Sequence, residues 1–323
     1  MGNITVAVLG ALGYSANLGK KGTSTDITFY NIKKGEDTVT LIEPERYPER
    51  LAPLFYSVSL SKEAIVVVDQ IDATFGECLV MLQCVEVKSG YFILRNYIPK
   101  EKIQPLIKGT SLENFEFLAD DPTVLREKLL AKAEKQKPTE LPSGQSATGT
   151  VPVDHAFNVK GVGVVMLGVV TSGIIQKHSS LNVLPGAKTT QVRSIQKHDD
   201  EFEVASEGDR VGLALKNIEV EDLDRGTVLT NDSSIKSESK LETQASLVKY
   251  WQTPIKQGMV LHVGHWTQFV TAKVEAVAED SDAKKPALTL ILEKPLVYRP
   301  HDKAVLMYLE GAKLRIAGTV ELP

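Results

Sequence analysis

An α/β domain built on a mostly parallel sheet, followed by two all-β barrels, is the multidomain architecture that the amino-acid sequence predicts. Three observations predict it. From Ile4 to about Lys137, short apolar runs alternate with amphipathic stretches, the pattern left by strand–helix crossovers. The stretch PTELPSGQSATG then interrupts the chain, and beyond it come only short β-rich runs punctuated by Gly, Pro and Asn. Finally, 323 residues exceed the usual size of one domain, so two or three cores are expected.

Taken in order, ITVAVLG and DTVTLIE read as strands, YPERLAPLFYSVS as a helix and KEAIVVVDQI as a buried strand. CLVMLQCVEVKSG reads as a helix closed by a glycine cap, YFILRN as a strand, PKEKIQPLIKG as a short helix broken by Pro105, and ENFEFLA as a last strand. DDPTVLREKLLAKAEKQK opens with an Asp cap, has Pro122 at the first helical position and spaces its leucines helically. It closes a first domain over residues 1–137, with 138–149 as linker. Residues 150–232 carry GVVMLGVVTSGII, SSLNVLPG, TTQVRSIQKHD and RVGLAL, the strands of a first barrel. TNDSSIKSESKLET is polar enough to read as a second linker. Residues 240–323 hold QASLVKYW, GMVLHVGHWTQFVTAKVEAVAE, PALTLILEKPLVYRP, KAVLMYLE and KLRIAGTVEL, a second barrel with AEDSDAKKPA as a charged loop tip. No internal repeat is evident.

Composition excludes several classes. No run approaches the ~18 apolar residues of a membrane span, and no basic segment with an apolar core opens the chain, so a cytoplasmic protein without a membrane partner is expected. The formal net charge of −4 supplies no global positive field, which argues against DNA as a partner and against unspecific nucleic-acid binding. Cys78 and Cys84 form no C-x-x-C pair and read as core thiols of one helix, and no metal site is expected.

VLGALGYSANLGKKGTST, Val8 to Thr25, has the look of a phosphate loop behind a strand. A working G-x-x-x-x-G-K-[ST] loop curls backbone N–H groups around phosphate, adds a lysine and ends on a hydroxyl for Mg²⁺. Here Gly13 and Gly19 have five residues between them, and Lys20 is followed by Lys21, which cannot bind a metal. Gly10, Gly13, Gly19 and Lys20 are therefore read as a vestigial nucleotide-binding set. Two alternatives stay open: a glycine-rich strand-to-helix turn followed by solvated lysines, or a site for another anion at a helix N-terminus.

The domain order, together with VPVDHAFNVKGVGVVMLGVVTSGII, VLPG, QVRSIQKHD, EGDRVGLAL and DLDRGTVL, resembles the selenocysteine-specific elongation factor SelB, in its archaeal and eukaryotic form, within the EF-Tu family of translation GTPases. The resemblance is strongest over Val151 to Leu229, looser through GMVLHVGH, LILEKPLVY and LRIAGTV, and holds only in outline for the first domain. It implies a GTPase-like first domain, aminoacyl-tRNA as ligand and the ribosome as partner. The family's nucleotide motifs are altered. N-K-x-D should follow YFIL, where RNYIP stands with Arg95 and Asn96, and the switch D-x-x-G is replaced by EPERYP, Glu43 to Pro48. Pro44 has no N–H to give a phosphate. The chain's D-x-x-G at Asp209 to Gly212 falls inside the first barrel and reads as a turn, and GKKGTSTDITFYN leaves no room for a full first helix and a long switch. Each lesion removes a charge-assisted contact of about 1.5–3 kcal/mol.

The expectation is thus a degenerate P-loop scaffold with no nucleotide cofactor and no catalytic residue, in a protein that binds an unusual aminoacyl-tRNA. The alternatives are a divergent GTPase that uses GTP and Mg²⁺ to deliver aminoacyl-tRNA to the ribosome, and a regulatory protein that has lost both ligands. The C-terminal fourth module of SelB is expected to be missing.

In SelB-like proteins the second domain presents charged groups to the aminoacyl moiety, and the resemblance carries that role onto Asp154, His155 and Arg210. His155 and Arg210 would donate to an anionic or strongly polar side chain, with Asp154 orienting His155. The competing description is an exposed salt bridge at a barrel end. His262 and His265 fall on opposite faces of a strand and do not chelate. The KHDD run reads as a hairpin tip. Arg193, Lys197, Lys313 and Arg315 are candidates for a tRNA backbone, and Tyr250, Trp251 and Trp266 for base stacking, each against ordinary barrel surface or core.

Overall fold

The apolar run Asn3–Leu9 forms β1, buried from Ile4 onward, and stands near the middle of a seven-stranded sheet. The computed structural model describes residues 2–136, 148–198, 200–278, 282–311 and 314–323. They fall into two units, Met1–Lys137 with Tyr308–Gly318, and Pro138–Met307 with Thr319–Pro323. Most of the expected linker at 138–149, the loop tip at 279–281 and Lys313 lie outside the described residues.

In the first unit the chain continues through β2 (Lys20–Ser24), β3 (Ile27–Lys34), β4 (Asp37–Pro44), α1 (Ala52–Ser59), β5 (Glu63–Val68), α2 (Ala73–Cys84), β6 (Ser89–Leu94), α3 (Gln104–Ile107), β7 (Glu116–Leu118) and α4 (Pro122–Lys135). The sheet order is β2–β3–β4–β1–β5–β6–β7. From β4 to β7 every pairing is parallel, and β2 and β3 add an antiparallel edge. Helix α4 forms because Asp121 caps it, its carboxylate accepting from Thr123 N at 2.9 Å, while Pro122 fits the first turn. Its Leu125, Leu129, Leu130 and Ala133 share one core with Val6, Val8, Val39, Leu41, Ile65 and Val67. Helix α1 buries Leu54, Phe55 and Val58 and packs on β1, β4 and α2.

One helix end differs from expectation. Helix α2 stops at Cys84, and Glu86 takes the left-handed conformation that a capping glycine was expected to supply. Gly90 lies in β6 instead, where a Cβ would come within 2.2 Å of the Ala64 carbonyl and 2.6 Å of Phe115. Close packing, not a cap, explains that glycine.

The second unit opens with β8 (Gly149–Val159), β9 (Gly163–Val169), β10 (Ser172–Gln176), β11 (Ser180–Leu184), β12 (Lys188–Lys197), β13 (Asp200–Phe202), β14 (Val204–Ser206), β15 (Arg210–Lys216) and β16 (Val228–Thr230). The ring β8–β16–β11–β12–β15–β9 closes through the β8–β9 pairing. Val151, Val153, Met166, Leu181, Val183, Val192, Ile195, Leu213 and Leu215 fill it. The second barrel comprises β17 (Lys236–Leu247), β18 (Val260–His265), β19 (Gln268–Val277), β20 (Ala287–Tyr298), β21 (Lys303–Met307) and β22 (Ile316–Glu321), closed in the order β17–β20–β19–β18–β21–β22. Leu288, Leu290 and Leu292 alternate inward along β20. The stretch expected as a second linker is largely strand. Lys236 to Lys240 are exposed on both faces of β17, and pairing with β20 holds them as strand. Among the described residues, no helix is long and apolar enough to cross a membrane.

Cys78 and Cys84 are buried on α2, and burial pushes both thiols up to about 12. Ellman's reagent at pH 8 is therefore expected to label no thiol in the native protein and two in guanidinium. Rapid native labelling would contradict this packing of α2.

Candidate functional site

The glycine loop leaves β1 beside the end of β4. The parallel register pairs Ala7 with Ile42, so Glu43 follows at the point where β1 gives way to the loop. Its carboxylate is filled from that side. Gly13 N–H donates to one oxygen at 2.8 Å and Ser15 N–H to the other at 2.6 Å. Glu43 is 1% exposed. These are backbone donors of the kind a bound phosphate would use, and they already hold an internal anion. A phosphate on the same donors would bring two anions within about 4 Å, a repulsion of about 4 kcal/mol at an effective dielectric constant near 20.

The rest of the vestigial set has structural duties. Gly10, at φ 90°, lies so close to β5 that a Cβ would meet the Val67 carbonyl at 2.0 Å. Gly19 passes 2.8 Å from the Asn31 carbonyl by the same measure. Gly13 adopts φ 79° at the start of a single 3₁₀ turn, Tyr14–Asn17. No α-helix follows: the chain runs into the exposed edge strand β2, where Lys20 pairs with Asn31 and Lys21 with Tyr30. The alternative of an anion at a helix N-terminus is thereby corrected, since the helix it requires is replaced by an antiparallel edge strand.

Where a guanine pocket was sought, a second network stands. Tyr14 is buried and donates its hydroxyl to Asp120 at 2.9 Å. Arg95 donates Nε to the same carboxylate at 2.7 Å, approaches Asp69 at 3.6 Å and lies 5.2 Å from the Tyr14 ring centroid. Burial, followed by the Asp120 hydrogen bond, pushes the Tyr14 phenol up and keeps it a neutral donor. Asn96 donates to the Asp69 carbonyl at 2.9 Å. Glu43, Tyr14 and Asp120 carry these contacts and were not among the expected site residues. The one signal for Glu43 was an acidic residue at the end of the strand beside the loop.

On the first barrel, a bulge in β8 between Val153 and His155 sets Asp154 out of the regular alternation. Asp154 is 2% exposed and pairs through both oxygens with Arg210 on β15, whose second contact measures 3.4 Å. Arg225 Nε donates to the Asp154 carbonyl at 3.1 Å. The pair is buried, with side chains 10% and 1% exposed, unlike the exposed salt bridge of the competing description. The expected orientation of His155 by Asp154 is replaced by this bond to Arg210. His155 is half-buried with its ring 5.5 Å from Phe157.

The other candidates separate. Lys197 is buried, bonded to Asp209 at 2.8 Å and 4.3 Å from the Phe202 ring, so it is core and not a tRNA contact surface. Arg193 donates to the Val162 carbonyl. Arg315, inside the first unit, donates to Glu77 from its backbone N–H at 3.0 Å, from Nε at 3.1 Å and from Nη2 at 2.5 Å, and to the Pro48 carbonyl from Nη1. The Glu77 bonds push the Arg315 guanidinium up and bind it into structure. Trp251 is buried, Tyr250 is exposed beside Lys249, and Trp266 packs on His265. Burial pushes the His262 imidazole down.

Removing one partner of a buried ion pair leaves the other charge unpaired, so Arg210→Ala is expected to lower unfolding free energy by about 3–5 kcal/mol. A denaturant titration measures it, and a loss under about 1 kcal/mol would mark the pair as a surface one.

Comparison with known proteins places this arrangement. The family model for elongation factor Tu domain 2 matches residues 163–230. An uncharacterised protein of Methanocaldococcus jannaschii is 36% identical over the full length of both chains. The selenocysteine-specific elongation factor of the same organism is 29% identical over 53% of this chain, which spans 40% of that protein's length. The crystal structure of SelB from Methanococcus maripaludis with the GTP analogue GPPNHP has a TM-score of 0.81 at 19% identity, covering 99% of this chain and 79% of that one. A bacterial selenocysteine-specific factor gives a TM-score of 0.76 at 18% identity, covering all of this chain and 58% of its own. With a parallel-sheet domain followed by two closed barrels, this chain belongs to the SelB/EF-Tu-like family of translation factors.

Proposed function

We propose that this translation-factor-like protein binds an aminoacyl-tRNA through its barrels, in the cytoplasm, and does so without binding or hydrolysing GTP in the family's usual way. The single observation that carries the second half is the Glu43 carboxylate seated on the Gly13 and Ser15 N–H groups. Three further features support it. Lys20 lies in the edge strand β2, Pro44 follows Glu43 with no N–H to offer, and Arg95 and Tyr14 are tied to Asp120 where a base would need partners. The residues present do not fit a magnesium nucleotide, and no step of the function is routed through one. The first half rests on family membership, and on a first barrel in which His155 follows directly on Asp154, the buried partner of Arg210. A ribosomal partner belongs to the same proposal.

Calorimetric titration of the wild-type protein with GTP, GDP and GMPPNP in Mg²⁺ is expected to show no micromolar binding; micromolar affinity would instead establish a divergent GTPase. Filter binding with bulk aminoacylated and deacylated tRNA tests the other half. His155→Ala, which leaves the Asp154–Arg210 pair intact, is expected to weaken aminoacylated tRNA about tenfold, the loss of about 1.4 kcal/mol, and to leave deacylated tRNA unchanged. Asp154→Ala and Arg210→Ala should weaken it further, through the fold as well as the pocket. Equal binding by all four proteins would end the pocket assignment.

A further inference from the structure

The geometry points to Glu43 as the resident ligand of the glycine loop: its carboxylate takes the place of a bound oxyanion, and its removal opens a latent seat for a small carboxylate or phosphate. This rests on the reading that the wild-type loop takes no nucleotide.

Four observations carry it. The two carboxylate oxygens are each matched to a separate backbone donor, at 2.8 and 2.6 Å, an arrangement that a free formate or acetate would reproduce. The donors are fixed before the carboxylate arrives, because Gly10 is pressed against Val67 and Gly13 holds a left-handed conformation. The inner side of the seat is buried, with Glu43 1% and Ser15 0% exposed, so loss of the carboxylate leaves the buried Ser15 N–H without its acceptor, while Gly13 lies at the exposed edge of the seat. Ser15 also carries a buried hydroxyl that has no hydrogen-bond partner among the described residues, on the same residue whose N–H holds Glu43. The carboxylate reaches this place because β4 ends in register with β1, on a strand anchored on both sides, by β1 and by β3.

The test is chemical rescue of Glu43→Ala. Its thermal unfolding midpoint is expected to fall below wild type. Formate, acetate or inorganic phosphate should then raise it saturably, by about 3 °C at roughly ten times the dissociation constant. Sodium chloride at equal ionic strength should not, and wild type should show no such rise. A Glu43→Ala midpoint that responds to these anions no more than to chloride overturns the proposal. Glu43→Gln keeps the shape and loses the charge, and serves if the alanine variant does not fold. In ¹⁵N–¹H spectra the Gly13 and Ser15 amide protons should move upfield in Glu43→Gln, and unmoved resonances would equally overturn it. GTP binding by the wild type would instead sink the functional reading on which this one stands, so the two failures are told apart.

Discussion

A turn rich in glycine at the end of a buried parallel strand turns two backbone N–H groups toward one place, of which that of Ser15 is buried, and a buried N–H must find an acceptor. In this chain the acceptor is Glu43. The loop is short and closes on a single 3₁₀ turn, the residues after it form the edge strand β2, and β3 and β4 make an antiparallel pair beside it. The neighbouring Tyr14–Asp120–Arg95 network closes the adjoining surface with the chain's own hydrogen bonds.

The first barrel applies the same rule to charge. Lys197 and Arg210 are both largely withdrawn from water, and each has a dedicated carboxylate, Asp209 and Asp154. Pairs of this kind add little net stability over an apolar core, yet breaking one is costly. They fix where β12, β15 and the bulged β8 sit, and so they position His155 indirectly. Glu77 plays the corresponding part in the first unit, receiving Arg315 and the Tyr47 hydroxyl.

Fold class was legible in the sequence because periodicity and punctuation are local. The strand runs ITVAVLG and KEAIVVVDQI, the capped helix from Pro122 and the alternating PALTLILE all fold as their patterns indicate. Local signals misled where tertiary packing decides. Gly90 looked like a cap and is a close-approach residue in β6, and the polar stretch before Leu241 looked like a linker and is strand, because pairing with β20 holds residues whose side chains meet solvent on both faces. For the candidate sites, the alteration of the glycine loop was visible in its spacing. The tenant of that loop was not, since Gly13 and Glu43 are brought together only by the parallel register of β1 and β4. Asp154 and Arg210 were singled out together, but their mutual bond depends on a bulge that no residue type announces.

The attachment of Glu43 to β4 has a consequence in time as well as in space. A diffusible ligand comes and goes with its supply, and a hydrolysable one changes its own chemical state. A carboxylate tethered by the backbone has one covalent form and a constant effective concentration, fixed by the strand that carries it. While Glu43 occupies them, the Gly13 and Ser15 N–H groups keep one acceptor of unchanging chemical state, and on the proposed reading any alternation between active and idle forms would be driven from outside the glycine turn.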